Sequence, residues 1–231
     1  MEPALEVARL RVRFGETLVL DGLSFAVERG TTLGIIGPNG AGKTALFRAL
    51  IGALPHDGTL RWAEGTRIGY VPQKLDVERD LPITAAELLA AKCRVAGADP
   101  GEAVHAFGHV GLAPAAASMP IGSLSGGQFQ RLLVAFALIG RPNVLLFDEP
   151  MAGVDEAGQE SLGETIHDIQ RMHGLTLLLI SHDISVVYRY ADNVLCLGHG
   201  VPCFGPPREM LTGERLAELY GGPLHYHVHD P

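Results

Sequence analysis

The chain has 231 residues, 47% of them hydrophobic, which suffices for one sizeable core, or a core with a subdomain, and excludes disorder over most of the length. Eighteen Lys and Arg stand against 26 Asp and Glu, a net charge of −8 that argues against a broad nucleic-acid-binding face. No run approaches the roughly eighteen consecutive apolar residues of a membrane span, and Met1-Glu2-Pro3-Ala4 lacks the basic start and apolar run of a signal peptide.

Taken in chain order, apolar positions predict strands over 5–12 and 18–27 around a turn at Phe14-Gly15-Glu16. Residues 31–36 read as a buried strand running into Gly37-Pro38-Asn39-Gly40-Ala41-Gly42-Lys43-Thr44. Residues 44–51 read as the helix after it, stopped by Gly52. Strand, G-x-x-x-x-G-K-T loop and helix together form a phosphate-binding device. Its glycines let backbone N–H groups approach the phosphates, Lys43 neutralises the β/γ-phosphates, and the Thr44 hydroxyl ligates Mg²⁺.

A different texture occupies residues 75–135. Thr84-Ala85-Ala86-Glu87 is a capping box opening a helix that runs to Gly97, and 100–110 predicts another. An alanine-rich link at 113–117 then leads to Leu124-Ser125-Gly126-Gly127-Gln128. Ser125 is placed to cap a helix beginning near Gly127, whose free N–H groups and dipole offer a second anion site.

Beyond it, 144–147 and 175–180 are continuous apolar runs, as expected of parallel strands covered on both faces. Between them Leu162, Ile166, Ile169 and Met172 keep helical spacing, with Gly174 as a stop. Asp148 and Glu149 follow the first run directly, where a strand delivers its last residues to a ligand crevice. Asp148 can then hold Mg²⁺ through water, and Glu149 can polarise an attacking water as general base. No tandem repeat occurs. The expected organisation is one domain over 1–231, with an α/β core at 1–74 and 136–231 and a helical subdomain at 75–135. Cys93, Cys196 and Cys203 form no even framework and fit a reduced setting. Cys196 lies in an apolar strand pattern and reads as a small, free core residue, not a ligand.

Phosphate loop and Leu-Ser-Gly-Gly-Gln string in one chain resemble the ATP-binding cassette (ABC) family, whose signature has that wording. The resemblance runs from Phe14 to about His199, with the motifs in the family's order. It implies an α/β fold: a P-loop NTPase ABC-type nucleotide-binding domain with an antiparallel β subdomain and a helical insert. It further implies that His182 contacts the γ-phosphate and helps position the water. Gln73, in Tyr70-Val71-Pro72-Gln73-Lys74, matches the family's glutamine loop, which ligates Mg²⁺ and bonds the attacking water. Asp155 matches the aspartate loop across the dimer seam, although Ala152-Gly153-Val154 departs from the commoner wording. Phe14 is placed where the family stacks an aromatic on adenine; its other reading is a hairpin aromatic packed on the core.

The implied cofactors are ATP and Mg²⁺. The implied assembly is a homodimer closing head to tail over two ATP molecules, each held by loop 37–44 of one chain and residues 124–128 of the other. Implied partners are an integral membrane permease and an extracytoplasmic metal-binding protein, with no nucleic acid, at the cytoplasmic face of the cell membrane. Ile68–Lys74 with Leu81-Pro82, and Val194–Leu197 with Cys203 and Gly205, resemble the zinc-uptake branch of the zinc/manganese/iron importer ATPases. That implies uptake of a divalent transition metal, zinc. Manganese, iron or another cargo is the alternative, and a non-transport ABC ATPase a further one. His225, His227 and His229 alternate along the tail: extended, they point the same way and suit Zn²⁺, or they belong to a mobile polar terminus.

Overall fold

The computed structural model describes residues 2–73, 81–151, 154–198 and 202–221. Lys74, Ala152, Gly153, His199 and the tail histidines His225, His227 and His229 lie outside the described residues.

In chain order the elements begin with β1 (Leu5–Phe14), β2 (Thr17–Val27), β3 (Thr32–Ile36), α1 (Lys43–Leu50), β4 (Asp57–Trp62) and β5 (Ile68–Val71). Three helices follow, α2 (Ala85–Ala96), α3 (Gly101–His109) and α4 (Gly126–Leu138), then β6 (Val144–Asp148), α5 (Glu156–His173) and β7 (Thr176–Ile180). The chain continues through α6 (Ile184–Tyr190), β8 (Asn193–Cys196), β9 (Cys203–Gly205), α7 (Pro207–Met210) and α8 (Gly213–Tyr220). The described residues divide into two compact units. One takes those up to Thr66 and from Thr176 onward, the other those of Arg67–Leu175.

In the first unit β2, β1 and β4 form an antiparallel sheet, the expected β subdomain. Its register places Val7, Leu10 and Val12 opposite Phe25, Leu23 and Leu20, all buried, so the alternation read from the sequence is the core face of this sheet. A second sheet runs β7–β3–β8 in parallel, with β9 antiparallel on β8. Every residue of β3 and β7 is buried, which explains their continuous apolar runs. Ile36, Val187, Val194 and Leu216 bring β3, α6, β8 and α8 into one apolar cluster.

The expectation of three unpaired cysteines is corrected here. Cys196 is buried as predicted, but it is bonded to Cys203 through a disulfide, while Cys93 alone is free. The β8/β9 register sets Cys196 directly opposite Cys203, with Cα atoms 4.9 Å apart, inside the range a disulfide needs.

The second unit pairs β5 with β6 in parallel and carries α2, α3, α4 and α5. The capping box at Thr84 is present in full: its hydroxyl accepts from the Glu87 N–H, and the Glu87 carboxylate accepts from the Thr84 N–H. Gly97 closes α2 in the left-handed conformation. Residues 114–118 and 121–123 form two short 3₁₀ turns leading into α4. The insertion between β5 and β6 is therefore helical, as expected.

Candidate functional site

In the first unit, β3 ends at Ile36 and the loop 37–44 turns into α1 over Gly42, whose φ of 92° is the left-handed conformation that glycine adopts without strain. Gly37 is needed for a different reason. A Cβ there would lie 1.9 Å from the Leu197 carbonyl oxygen, so only a bare Cα fits against β8. Leu197 N–H donates to Ile36 O at 2.9 Å and locks that approach. Lys43 is buried and its Nζ donates to Gly37 O at 2.7 Å and Pro38 O at 3.1 Å. The ammonium is thus held by carbonyls of its own loop. Tyr220, at the end of α8, faces the Gly37 backbone without a hydrogen bond of ordinary geometry, and burial raises the pKa of its phenol.

Parallel pairing brings another candidate to the same sheet edge. Ser181 N–H donates to Ile35 O at 3.2 Å, and the exposed His182 follows immediately. Ser181 Oγ accepts from the Asp183 N–H at 3.0 Å, and Asp183 caps α6, so His182 sits on a turn fixed from both sides. Phe14 closes β1 and is 46% exposed, which removes the reading of a hairpin aromatic packed on the core.

The carboxylates belong to the second unit. Asp148 is the last residue of β6 and only 2% exposed; the Tyr70 hydroxyl donates to its Oδ2 at 3.4 Å. Glu149 comes next, with a φ of 51° that a non-glycine residue adopts only when its surroundings hold it there. Gln73 Nε2 donates to Glu149 Oε2 at 2.6 Å. This meeting follows from the β5/β6 register, which pairs Val71 with Phe147 and carries both chains out of the strands side by side.

The signature string occupies a separate part of that unit. Ser125 is the N-cap of α4: its hydroxyl accepts from the Gln128 N–H at 3.2 Å, and Gln128 Oε1 accepts from the Ser125 N–H at 2.9 Å. Leu124 is buried beneath the cap. Residues 125–128 line a cavity of about 620 Å³ together with Gly111, Arg131, Val154, Asp155 and Gly158. Asp155 is the N-cap residue of α5, so two helix N-termini open on this cavity. Arg131 fixes the frame. Its Nη1 donates to Val110 O at 2.7 Å and Thr165 Oγ1 at 3.0 Å, and its Nη2 donates to Ser161 Oγ at 2.9 Å.

The expected residues thus gather in three local groups: Lys43 with Gly37 and Pro38, Gln73 with Asp148 and Glu149, and Ser125 through Gln128 with Asp155. Sequence reasoning missed Tyr70, Arg131 and Tyr220 as supports of these groups. Tyr70 and Arg131 stand within or beside the motifs, but the partners described lie 78 residues from Tyr70 and 21 to 34 residues from Arg131, so no local spacing marks them.

Residues 20–152 match the family model described as ABC transporter. The chain belongs to the ABC transporter family. It is the ATP-binding cassette of that family, the ATPase component. The chain is 39% identical over 94% of its length to the "Zinc import ATP-binding protein ZnuC" of Jannaschia sp. (strain CCS1), covering 88% of that protein. Its identity is 40%, over 92% of the chain and 86% of the relative, to the protein of the same name from Cereibacter sphaeroides. Among solved structures, cbiO1 from Clostridium perfringens, part of the ABC transporter complex cbiONQ, superposes with a TM-score of 0.79 at 26% identity, covering 94% of both chains. The ADP conformation of MJ1267, an ATP-binding cassette of an ABC transporter, reaches 0.84 at 23% identity over 96% of this chain and all of that one, a likeness of fold.

Proposed function

We propose that this ABC cassette hydrolyses ATP to drive import of zinc through a separate membrane permease. The observation that carries the cargo is the run of relatives named as zinc import ATP-binding proteins, 38–40% identical over 92–98% of the chain. A separate permease accords with an ABC transporter cassette in which no helix among the described residues is long and apolar enough to cross a membrane. The proposed complex adds a second copy of this chain and an extracytoplasmic zinc-binding protein, with the cassettes at the cytoplasmic face of the membrane.

In the proposed cycle, backbone N–H groups of Gly37–Thr44 receive the phosphates of ATP, and Lys43 exchanges the Gly37 and Pro38 carbonyls for phosphate oxygens. Phe14 offers its exposed ring to adenine. Ser125, Gly126, Gly127 and Gln128 of the other copy present the capped N-terminus of α4 to the γ-phosphate, and Asp155 lines that seam. Glu149 draws the proton from the attacking water, Gln73 orients that carboxylate through the contact already present, and His182 steadies the γ-phosphate. The donors assigned to Mg²⁺ are the Thr44 hydroxyl, the Gln73 amide oxygen and the Asp148 carboxylate. They are all hard oxygen ligands, and a carboxylate buried at the end of β6, as Asp148 is, would suit a cation. The ion, when bound, neutralises charge on the phosphates.

The test is cellular. Replacing Lys43 by Ala in the chromosomal copy is expected to abolish zinc accumulation in zinc-poor medium while manganese uptake continues. Normal zinc accumulation with manganese uptake lost overturns the cargo.

A further inference from the structure

Two helices of the second unit end in histidine. His109 is the last residue of α3 and His173 the last of α5, and both are exposed. Their rings meet with centroids 5.1 Å apart and planes at 85°. The spacing has a chemical meaning. Two imidazoles bound to one tetrahedral ion at about 2.05 Å from each nitrogen have centroids about 5.2 Å apart.

Two further features favour a cation at this place. Each ring stands at a helix C-terminus, where unpaired carbonyls carry partial negative charge. The end of α3 is also tied to the body of α5 by a support independent of the histidines. Arg131 of α4 donates to Val110 O, the residue after His109, and to Ser161 and Thr165 of α5. A tie between the two helices that does not involve the histidines lowers the entropy cost of capturing an ion between them.

We propose that His109 and His173 form a surface site for one divalent transition-metal ion of the imidazole-seeking class, of which Zn²⁺ is the probe of choice. Among the described residues no group of three or more His, Cys, Asp or Glu is placed to hold a metal, so water completes the shell. Such a site is labile, unlike the closed four-ligand sites that hold structural zinc. Its occupation fastens α3 to α5, both of which pack on α4, the helix that carries the signature cap. The site does not depend on the cargo reading, because the probe is the free ion and no nucleotide is needed.

The test uses the full chain with His225→Ala, His227→Ala and His229→Ala, so that the tail takes no metal. Titration with ZnCl₂ by calorimetry is expected to give one ion per chain, and saturating Zn²⁺ to raise the melting temperature by about 2 °C or more. His109→Ala and His173→Ala, each added alone, are expected to remove both the bound ion and the rise. Because both rings are exposed, the metal-free melting temperature should stay within about 1 °C of the parent. Absence of binding in the tail-substituted chain means that the two rings make a bare aromatic contact, and overturns the proposal. Retention of the ion in either single variant places it elsewhere and overturns it too.

Discussion

Gly37 shows how much of this cassette hangs on single atoms. Its φ of 152° and its contact with Leu197 O leave no room for a side chain, and the carbonyl of the same residue holds Lys43. A Cβ here forces the loop away from β8 and carries the lysine with it. Gly37→Ala is therefore expected to weaken ATP binding at least tenfold, corresponding to about 1.4 kcal/mol, within the usual 1–3 kcal/mol of a strained backbone position. Titration with a fluorescent ATP analogue measures this, and unchanged affinity would show that the loop has slack. Glu149 is strained in the opposite sense: a left-handed glutamate is retained where glycine or asparagine would be easier, and Gln73 holds its carboxylate. The type and order of these residues were legible because phosphate-loop and strand-end chemistry use short, contiguous strings. Their supports were not. Tyr70 on Asp148 and Arg131 on Val110, Ser161 and Thr165 depend on strand register and helix packing, which no window of sequence encodes.

Helices and strands divide in the same way. The start of α2 was readable to the residue, since a capping box is closed within four positions. The α4 cap at Ser125 was readable for the same reason, one residue from where the helix begins. The Cys196–Cys203 pairing was not, because it is decided by the antiparallel register of β8 and β9 and not by the apolar pattern around Cys196. The α2 box also carries a pH signature. The Thr84 backbone N–H, then its hydroxyl, stabilise the Glu87 carboxylate and lower its pKa below the ordinary 4.5, against a small opposing effect of burial. A depressed carboxylate pKa stabilises the fold above the unfolded value, and that stabilisation is lost as pH falls through the folded value. Wild type and Glu87→Gln should therefore differ in melting temperature at pH 7 and converge in acid, from about pH 4.5 downward. A gap that keeps its size from pH 7 to pH 3 would mean that the charge of Glu87 plays no part in the cap.

Each copy of the chain contributes one phosphate loop and one signature cavity, and the proposed head-to-tail pair uses both kinds twice. Such a pair is held by the ATP it encloses, so its lifetime is set by hydrolysis. Removing the base should separate the two events. In Glu149→Gln the amide keeps an oxygen that can accept from Gln73 Nε2, as the carboxylate does at 2.6 Å, but it cannot take a proton from water. Binding and closure should survive while turnover falls by about 100-fold or more, the low end of what a positioned general base contributes. Size-exclusion chromatography with light scattering should then find the variant as a dimer in ATP and a monomer without it. Wild type under the same conditions should return to monomer as the nucleotide is consumed. Near-normal turnover in the variant would remove Glu149 from the role of base. A variant that stalls in hydrolysis yet stays monomeric in ATP would keep the base and sink the nucleotide-sandwich pairing.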